Sequence, residues 1–444
     1  MKKVLLVNPS IVYSTWNADL KTPSPDSIFI RLGLAYLAGA LKARGHEVCL
    51  IDLRTISGWE EFEEEVRLAS PDVVGITIHS IEMQIAVEAA QRSKKVLPQV
   101  MVVAGGVHPT MFPDECLETG AFDYVVKGEG EISFPDLVDD PAKFSSSFWG
   151  ETPDLDKVPH PVRDIWKDYD TRIYREPFGV KGFSFALPMA EMINTRGCPF
   201  RCTFCCGPGE QDLYTKISQT GERIPNVRGR SVESVIDEIK FLREKYGIKS
   251  VMFHDDQFIM KRSWIEEFVV ALHEEGLVKE GFEWVTSSKA DIICKNETLI
   301  KKMAGAGLKL LIVGFESFSP RVLKWFEKTA SVDENFKAAE ICKEAGVKVW
   351  ANYILGVPTD TGWHREDDLM TVEGVLRIDP VHYSPALYTP VPGSALYDFY
   401  KNNNLIIGEE DQELLSNRGA MAPKVRGVDY EFLNAIMVTD TIFM

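Results

Sequence analysis

Short apolar runs rich in β-branched residues recur along this chain, each followed by an amphipathic stretch, and the alternation is played out twice. In the first 145 residues, strands are expected over "KVLLVN" (3–8), "EVCLID" (47–52), "DVVGITI" (72–78), "VMVVAGG" (100–106) and at the start of "DYVVKGEGE" (123–131). Helices are expected over 32–45, ending at Gly45, across "SGWEEFEEEVRLAS", over 82–96 and near 111–119. Wholly apolar strands interleaved with helices specify a parallel sheet covered on both faces, a Rossmann-like (flavodoxin-like) α/β layer. Ligands bind such sheets at the carboxyl ends of the strands. Those ends carry Asn8, then Thr77, His79 and Ser80, then Gly105 and Gly106 with His108, and finally Gly128 and Glu129.

Residues 146–187 interrupt the rhythm with a Pro-, Ser- and Asp-rich stretch, "SSSFWGETPDLDKVPHPVRDIW", which reads as a surface linker. A second βα series then occupies 188–400, with strands expected at "EMINT", "SVMFHDD", "FEWVTSS", "KLLIVGFES", "KVWANYILGVP" and "VHYSPALYTP". Ser231 and Gly247 bracket one helix, a Ser263–Glu266 capping box is expected to open the next, and others begin near Asn296, Ser319-Pro320 and Ser331. The expected architecture is a partial (β/α)6 TIM-like barrel whose carboxyl-end face holds the chemistry, followed by a short extension over 401–444.

The formal net charge of -17, with no basic stripe, argues against a nucleic-acid surface. Apolar stretches such as "LGLAYLAGAL" fall short of the ~20 residues of a membrane span, and "MKKVLLVNPS" lacks the pattern of a secretory signal, so a cytoplasmic location is expected.

Eight cysteines are present, and Cys49, Cys116, Cys294 and Cys342 stand singly in apolar or helical stretches, as small buried hydrophobes do. The other four crowd into "RGCPFRCTFCCG" (196–207). Neighbours one to four residues apart cannot all pair as disulfides, so crowded thiolates point to a metal. Cys198, Cys202 and Cys205 have C-x3-C-x2-C spacing at the exit of a strand. Three thiolates from one loop can cap three irons of a cubic cluster and leave the fourth iron open, with Cys206 pointing elsewhere. The alternative is zinc, which prefers a second cysteine pair or a residue such as His254 to close a four-ligand shell.

This loop resembles that of the radical S-adenosylmethionine (SAM) superfamily, in the branch that also carries a cobalamin domain. "FHDDQF", "GFES", "LGVPTDT" and "YTPVPGSALY" follow in the order of that branch, while "LGLAYLAGALKARGHEVCLID", "GGVHPT" and "KGEGE" resemble its cobalamin domain, so that the match spans residues 1 to about 400. The resemblance implies a 4Fe-4S cluster on Cys198, Cys202 and Cys205 and SAM chelated by the open iron. Phe204 is implied near the adenine, Asp255 or Asp256 (Asp256 favoured) at the SAM ammonium, and Lys289 at its carboxylate unless that lysine is merely solvated. Glu316, assisted by Ser317, is implied at the ribose or methionine, with Leu355 to Pro358 as an adenine wall. Tyr388, Pro390 and Pro392 would shape the mouth facing the substrate.

Cobalamin contacts are implied at Asn8, Thr77, Ser80, Gly105, Gly106, His108, Gly128 and Glu129, with His108 as a plain turn histidine the alternative. None of His46, His79, His108, His160, His254, His273, His364 or His382 stands in an Asp-x-His-x-x-Gly context, so the cobalt is not expected to take a motif histidine from below. The implied activity is methylation of an unactivated carbon through a 5'-deoxyadenosyl radical and methylcobalamin. The alternatives are cyclisation or rearrangement without methyl transfer and, from another class, a non-enzymatic cobalamin or iron-sulfur sensor. A small-molecule or peptide substrate and an external flavodoxin- or ferredoxin-type electron donor are the implied partners.

Overall fold

In the computed structural model, residues 1–9, 29–166, 169, 185–217, 227–407 and 424–443 are described. The chain forms two compact units, Met1–Ile173 with Asp212–Ile224, and Tyr174–Gln211 with Pro225–Met444.

The first unit is built on β1 (Lys3–Asn8), β2 (Glu47–Asp52), β3 (Val73–Thr77), β4 (Met101–Gly105), β5 (Tyr124–Lys127) and β6 (Ser147–Trp149). All neighbours pair in parallel, in the order β2-β1-β3-β4-β5-β6. The order reverses beside β1, so the chain leaves β1 toward one edge and β3 toward the other, which opens a crevice at their carboxyl ends. One face of the sheet is covered by α2 (Trp59–Ala69) and α3 (Met83–Val96), whose Phe62, Val66, Ile85, Ala86 and Ala89 join Leu5, Val7, Val74 and Ile76 in one buried core. Each of the Val, Leu, Ile and Phe side chains among them is worth about 1.5–3 kcal/mol when fully buried.

The helix α1 (Leu32–Ala43) is apolar nearly all round, with Leu34, Ala35, Tyr36, Ala38, Gly39 and Leu41 buried. A helix of that kind needs cover on two sides. The second cover comes from the stretch read as a linker: Val162 N donates to Ala35 O at 2.9 Å, and a Cβ on Gly39 would stand 2.6 Å from His160 O. Arg163, Ile165 and Trp166 are buried there, and the same stretch supplies β6. The described part of 146–187 is therefore packed structure, and a three-residue strand followed by single turns is too short to show a period in the sequence.

The second unit has six parallel strands in the order β14-β13-β12-β11-β10-β7. They are β7 (Met189–Met192), β10 (Ser250–Phe253), β11 (Glu283–Lys289), β12 (Leu308–Glu316), β13 (Lys348–Leu355) and β14 (His382–Leu387). The short strands β8 (Thr195–Arg196) and β9 (Arg228–Gly229) form a separate antiparallel pair. Each main strand lies beside the next in sequence. With right-handed crossovers, such one-way winding puts the helices on a single face and curls the sheet into a half-barrel.

Burial alternates accordingly, with Leu311, Val313 and Phe315 buried and Ile312, Gly314 and Glu316 half-buried. Register lines up Ser287, Ile312, Trp350 and His382 in one row of the less buried face, and Lys289, Gly314, Asn352 and Ser384 in the next. Behind β10 and β11 an aromatic stack of Phe253, Phe258, Phe268 and Trp284 stiffens the strand ends, with ring centroids 4.8 to 6.3 Å apart.

Ser231, Ser319 and Ser331 cap their helices as the sequence indicates, and Ser331 forms a capping box with Glu334. Ser263 does not: the helix Arg262–Glu274 starts two residues earlier than that cap would place it, with Lys261 at its N-cap, and Glu266 is drawn to Lys302 at 2.9 Å. Among the described residues no helix is long and apolar enough to cross a membrane.

Candidate active site

The cysteine loop leaves β7 and is tied down at several points. Asp255 sits just beyond β10, and its buried carboxylate accepts from Asn194 N (3.1 Å), Thr195 N (2.6 Å) and the Thr195 hydroxyl. Burial pushes this carboxyl up to about 6 against the pull of those hydrogen bonds. Thr203 N donates to Phe326 O at 3.1 Å, Thr203 Oγ1 to Trp325 O at 2.7 Å, and Leu396 N to Thr203 O at 3.0 Å. The Gln211 amide donates to Cys198 O. Gly197, at φ 88°, turns the chain into the loop.

Cys202 is buried, Cys198 and Cys206 are half-buried and Cys205 is exposed. Burial raises the Cys198 and Cys202 thiols, and the charges of the other cysteines add to this, whereas Lys328 and Lys289 pull Cys202 back down. A hydrogen bond joins Cys205 to Cys206, raising the Cys205 thiol and lowering that of Cys206. Among the described residues no three His, Cys, Asp or Glu side chains gather as around one ion. Cys198, Cys202 and Cys205 instead feel one another through charge along a single loop, a donor set that fits a cluster with thiolates on separate irons.

The strand ends around this loop carry ionisable groups with distinct tasks. Asp255 faces the backbone of the loop, whereas Asp256 is solvent-exposed and accepts from Gly197 N. His254, also exposed, has its imidazole lowered to about 4 by desolvation, and desolvation raises Asp256. Solvent access combined with desolvation is the condition of a concave wall. Lys289 is buried rather than solvated: its Nζ donates to Thr329 Oγ1 at 2.9 Å and lies 3.4 Å from the centroid of the Phe200 ring.

Glu316 ends β12 where the register with β13 slips, in the left-handed region at φ 64°, and pairs with buried Lys328 at 2.8 Å. A non-glycine residue held there costs about 1–3 kcal/mol, a strain that clusters at functional sites. Ser317, expected to assist, is instead committed to the start of the next helix: it is buried, shares a hydrogen bond with Thr371 Oγ1 (2.7 Å) and accepts from Ser319 N (3.0 Å). The Leu355 side chain is fully buried and its carbonyl accepts from Tyr388 N at 2.8 Å. The following turn is held by Asp368, which accepts from Gly356 N at 2.8 Å and from Trp363 Nε1 at 2.7 Å. Phe204 packs on Phe326 at 4.5 Å, at the edge of a buried cluster with Tyr388 and Tyr400.

In the first unit the strand-end residues flank the crevice beside β1. Asn8 is fully buried and donates to Asp52 Oδ1 at 3.2 Å, leaving its own Oδ1 without a hydrogen-bond partner among the described residues. Gly106 has φ 104°, and a Cβ there would meet Ile78 N and Thr77 Oγ1 at 3.0 Å. His108 is buried, its Nδ1 is 3.1 Å from Ser80 Oγ, and burial lowers its imidazole to about 4. It pins the loop after β4 to the loop after β3 as a neutral ring. Gly128, at φ 74°, donates its N–H to Thr110 Oγ1 at 2.9 Å and leaves room for Tyr214, whose ring atoms would be 3.1 Å from a Cβ. Gly105 extends β4 beside β5, and Glu129 is half-buried in the next turn.

A family model described as the B12 binding domain matches residues 24–138, and one described as the radical SAM superfamily matches residues 192–372. An uncharacterized methyltransferase of Pyrococcus horikoshii is 30% identical over 85% of this chain and 79% of that protein. The chain belongs to the cobalamin-binding radical SAM enzymes. Within this family, the anaerobic magnesium-protoporphyrin IX monomethyl ester cyclase of Rubrivivax gelatinosus is 27% identical over 89% of this chain and 69% of that protein. The radical SAM methyltransferase TsrM of Kitasatospora setae, solved with cobalamin and a 4Fe-4S cluster bound, shares the fold with a TM-score of 0.63 at 19% identity, over 91% of this chain and 78% of that one.

Several residues packed around the cysteine loop escape sequence reading. Lys328, twelve residues beyond Glu316, stands in "FEKTA", which looks like any solvated turn. Thr195 and Thr329 act through single hydroxyls. Phe200 sits midway between Cys198 and Cys202, and its partner Lys289 comes from a strand 89 positions away.

Proposed function

We propose that this enzyme methylates an unactivated carbon of a small molecule or peptide, using a 4Fe-4S cluster, SAM and cobalamin. The observation that carries this reading is the joint presence of a B12-binding region and a three-cysteine radical SAM loop on one chain. When bound, these groups supply one-electron chemistry able to break an unactivated C–H bond and a carrier for a methyl group.

The protein's part is placement. Cys198, Cys202 and Cys205 hold the cluster, and Asp255 keeps their loop in register with β10. Asp256, on the open side, receives the SAM ammonium; Glu316, aimed by Lys328, meets its ribose or methionine; Phe204 and the backbone from Leu355 to Pro358 bound the adenine. In the first unit, Thr77, Ser80 and the Gly105-Gly106 and Gly128-Glu129 turns approach the cobalamin, with Asn8 at the base of the crevice and His108 acting as a pin behind it. The electron comes from an external flavodoxin- or ferredoxin-type donor.

Incubation of reconstituted enzyme and substrate with methyl-labelled SAM tests the reaction, and label in the product is the expected result. An unlabelled, rearranged or cyclised product would replace methyl transfer by the second reading, which the likeness to the Rubrivivax cyclase favours. Failure of the reconstituted protein to cleave SAM under any reductant would support a sensor.

A further inference from the structure

Two lysines approach the cysteine loop, and they are not equivalent. Lys328 is neutralised at 2.8 Å by Glu316. Lys289, only 8% exposed, has as its close partners a hydroxyl and a ring: Thr329 Oγ1 at 2.9 Å and the face of Phe200 at 3.4 Å from the centroid. The nearest acid along this network, Asp291, is reached only through Thr329, whose hydroxyl donates to Asp291 Oδ2 at 2.9 Å, and Asp291 is already paired with Lys295 at 2.9 Å. A buried ammonium without its own carboxylate is costly unless an anion stands nearby. The loop under Lys289 supplies one, since Phe200, on whose ring Lys289 sits, lies between Cys198 and Cys202, and the charges of both thiols are felt at Lys289.

We propose that Lys289 is the built-in counter-charge of the cysteine loop, offsetting the negative charge that an iron-sulfur cluster on three thiolates carries and deepens on reduction, in place of gripping the SAM carboxylate. This rests on the reading of the loop as a cluster site. A cubic cluster on three thiolates carries one net negative charge when oxidised and two after accepting one electron from a donor such as dithionite, which is itself oxidised; no bond is made or broken. A fixed positive charge in a poorly solvated position makes that electron easier to accept.

The test is an EPR-monitored redox titration of the anaerobically reconstituted full chain without SAM, alongside equilibrium binding of SAM to the oxidised protein. Lys289→Met is expected to keep its iron and sulfide content but to reduce about tenfold less favourably, ~59 mV lower for one electron. Lys289→Arg should restore most of the shift, and Asp291→Asn should move the potential the other way. SAM affinity should change little in all three. A wild-type potential in Lys289→Met, with SAM affinity reduced instead, overturns the proposal and returns Lys289 to the SAM carboxylate. Should Lys289→Met fail to load a cluster, Asp291→Asn decides alone, and the absence of an upward shift overturns the proposal. A wild-type chain that takes up no cluster refutes the cofactor reading itself, a separate and visible outcome.

Discussion

The two sheets are made of the same parts and end in different kinds of site. In the first, the order β2-β1-β3-β4-β5-β6 reverses beside β1 and leaves a crevice whose edges are glycine turns and hydroxyls. In the second, the one-way order β7-β10-β11-β12-β13-β14 leaves a concave face whose rim carries thiols, carboxylates and two lysines with buried side chains. Winding direction alone decides between the two shapes, because helices must lie where right-handed crossovers put them. The charge follows the task. A large cofactor can be embraced by close backbone approach, while a reactive centre needs fixed charges in a poorly solvated place.

The comparison can be broken most severely at the loop. Cys202→Ala, Cys198→Ala or Cys205→Ala should abolish the iron-sulfur absorbance and all SAM cleavage while leaving cobalamin binding in place; loss of both would show that the units do not divide the cofactors.

Next in size is a pH effect of opposite sign at two groups, His108 in the first unit and Asp368 in the second. His108 is lowered to about 4 from an ordinary 6.5, so the folded first unit binds fewer protons than the unfolded chain in that window. Its contribution, roughly 3 kcal/mol, is present above pH ~6.5 and is lost as the pH falls toward 4. Asp368, raised to about 6 by burial, favours the second unit at low pH and loses that contribution as the pH rises through 6. Unfolding followed from pH 4 to 7 should show the first slope flattened by His108→Gln and the second by Asp368→Asn.

Asp255→Asn replaces an acceptor of three hydrogen bonds with a group that must turn a donor toward one of them. A loss of about 2–3 kcal/mol and several-fold lower cluster content are expected, read by chemical denaturation and iron analysis. Gly106→Ala, forced against Ile78 N at a φ of 104°, should cost about 1–3 kcal/mol and weaken cobalamin retention without changing iron content. The smallest effect is expected of Cys206→Ala, which should keep the cluster absorbance. If instead Cys205→Ala keeps it and Cys206→Ala loses it, the ligand assignment within the hydrogen-bonded pair is reversed.

Much of this organisation is legible without coordinates because it is written in local patterns. Apolar strands of five or six residues, the Ser caps, and Gly247 after its helix each act within a few positions. Three features were not legible. The cover over α1 comes from residues that have no period of their own. The division of labour between Asp255 and Asp256 depends on which face of β10 meets the loop from β7. Ser317 looks like a site residue beside Glu316, yet Thr371 from a distant helix claims its hydroxyl.

By itself, then, the sequence determined two parallel α/β layers, the cysteine triplet and the strand ends that could bear ligands, since spacing and periodicity are properties of neighbours along the chain. The tertiary structure alone decided which of these ionisable groups are buried and which reach solvent, that Lys328 pairs with Glu316, and that Lys289 is buried on Phe200 without a carboxylate of its own. Charge, desolvation and hydrogen bonding act through space, and the partners that set them lie up to 89 positions apart in the chain.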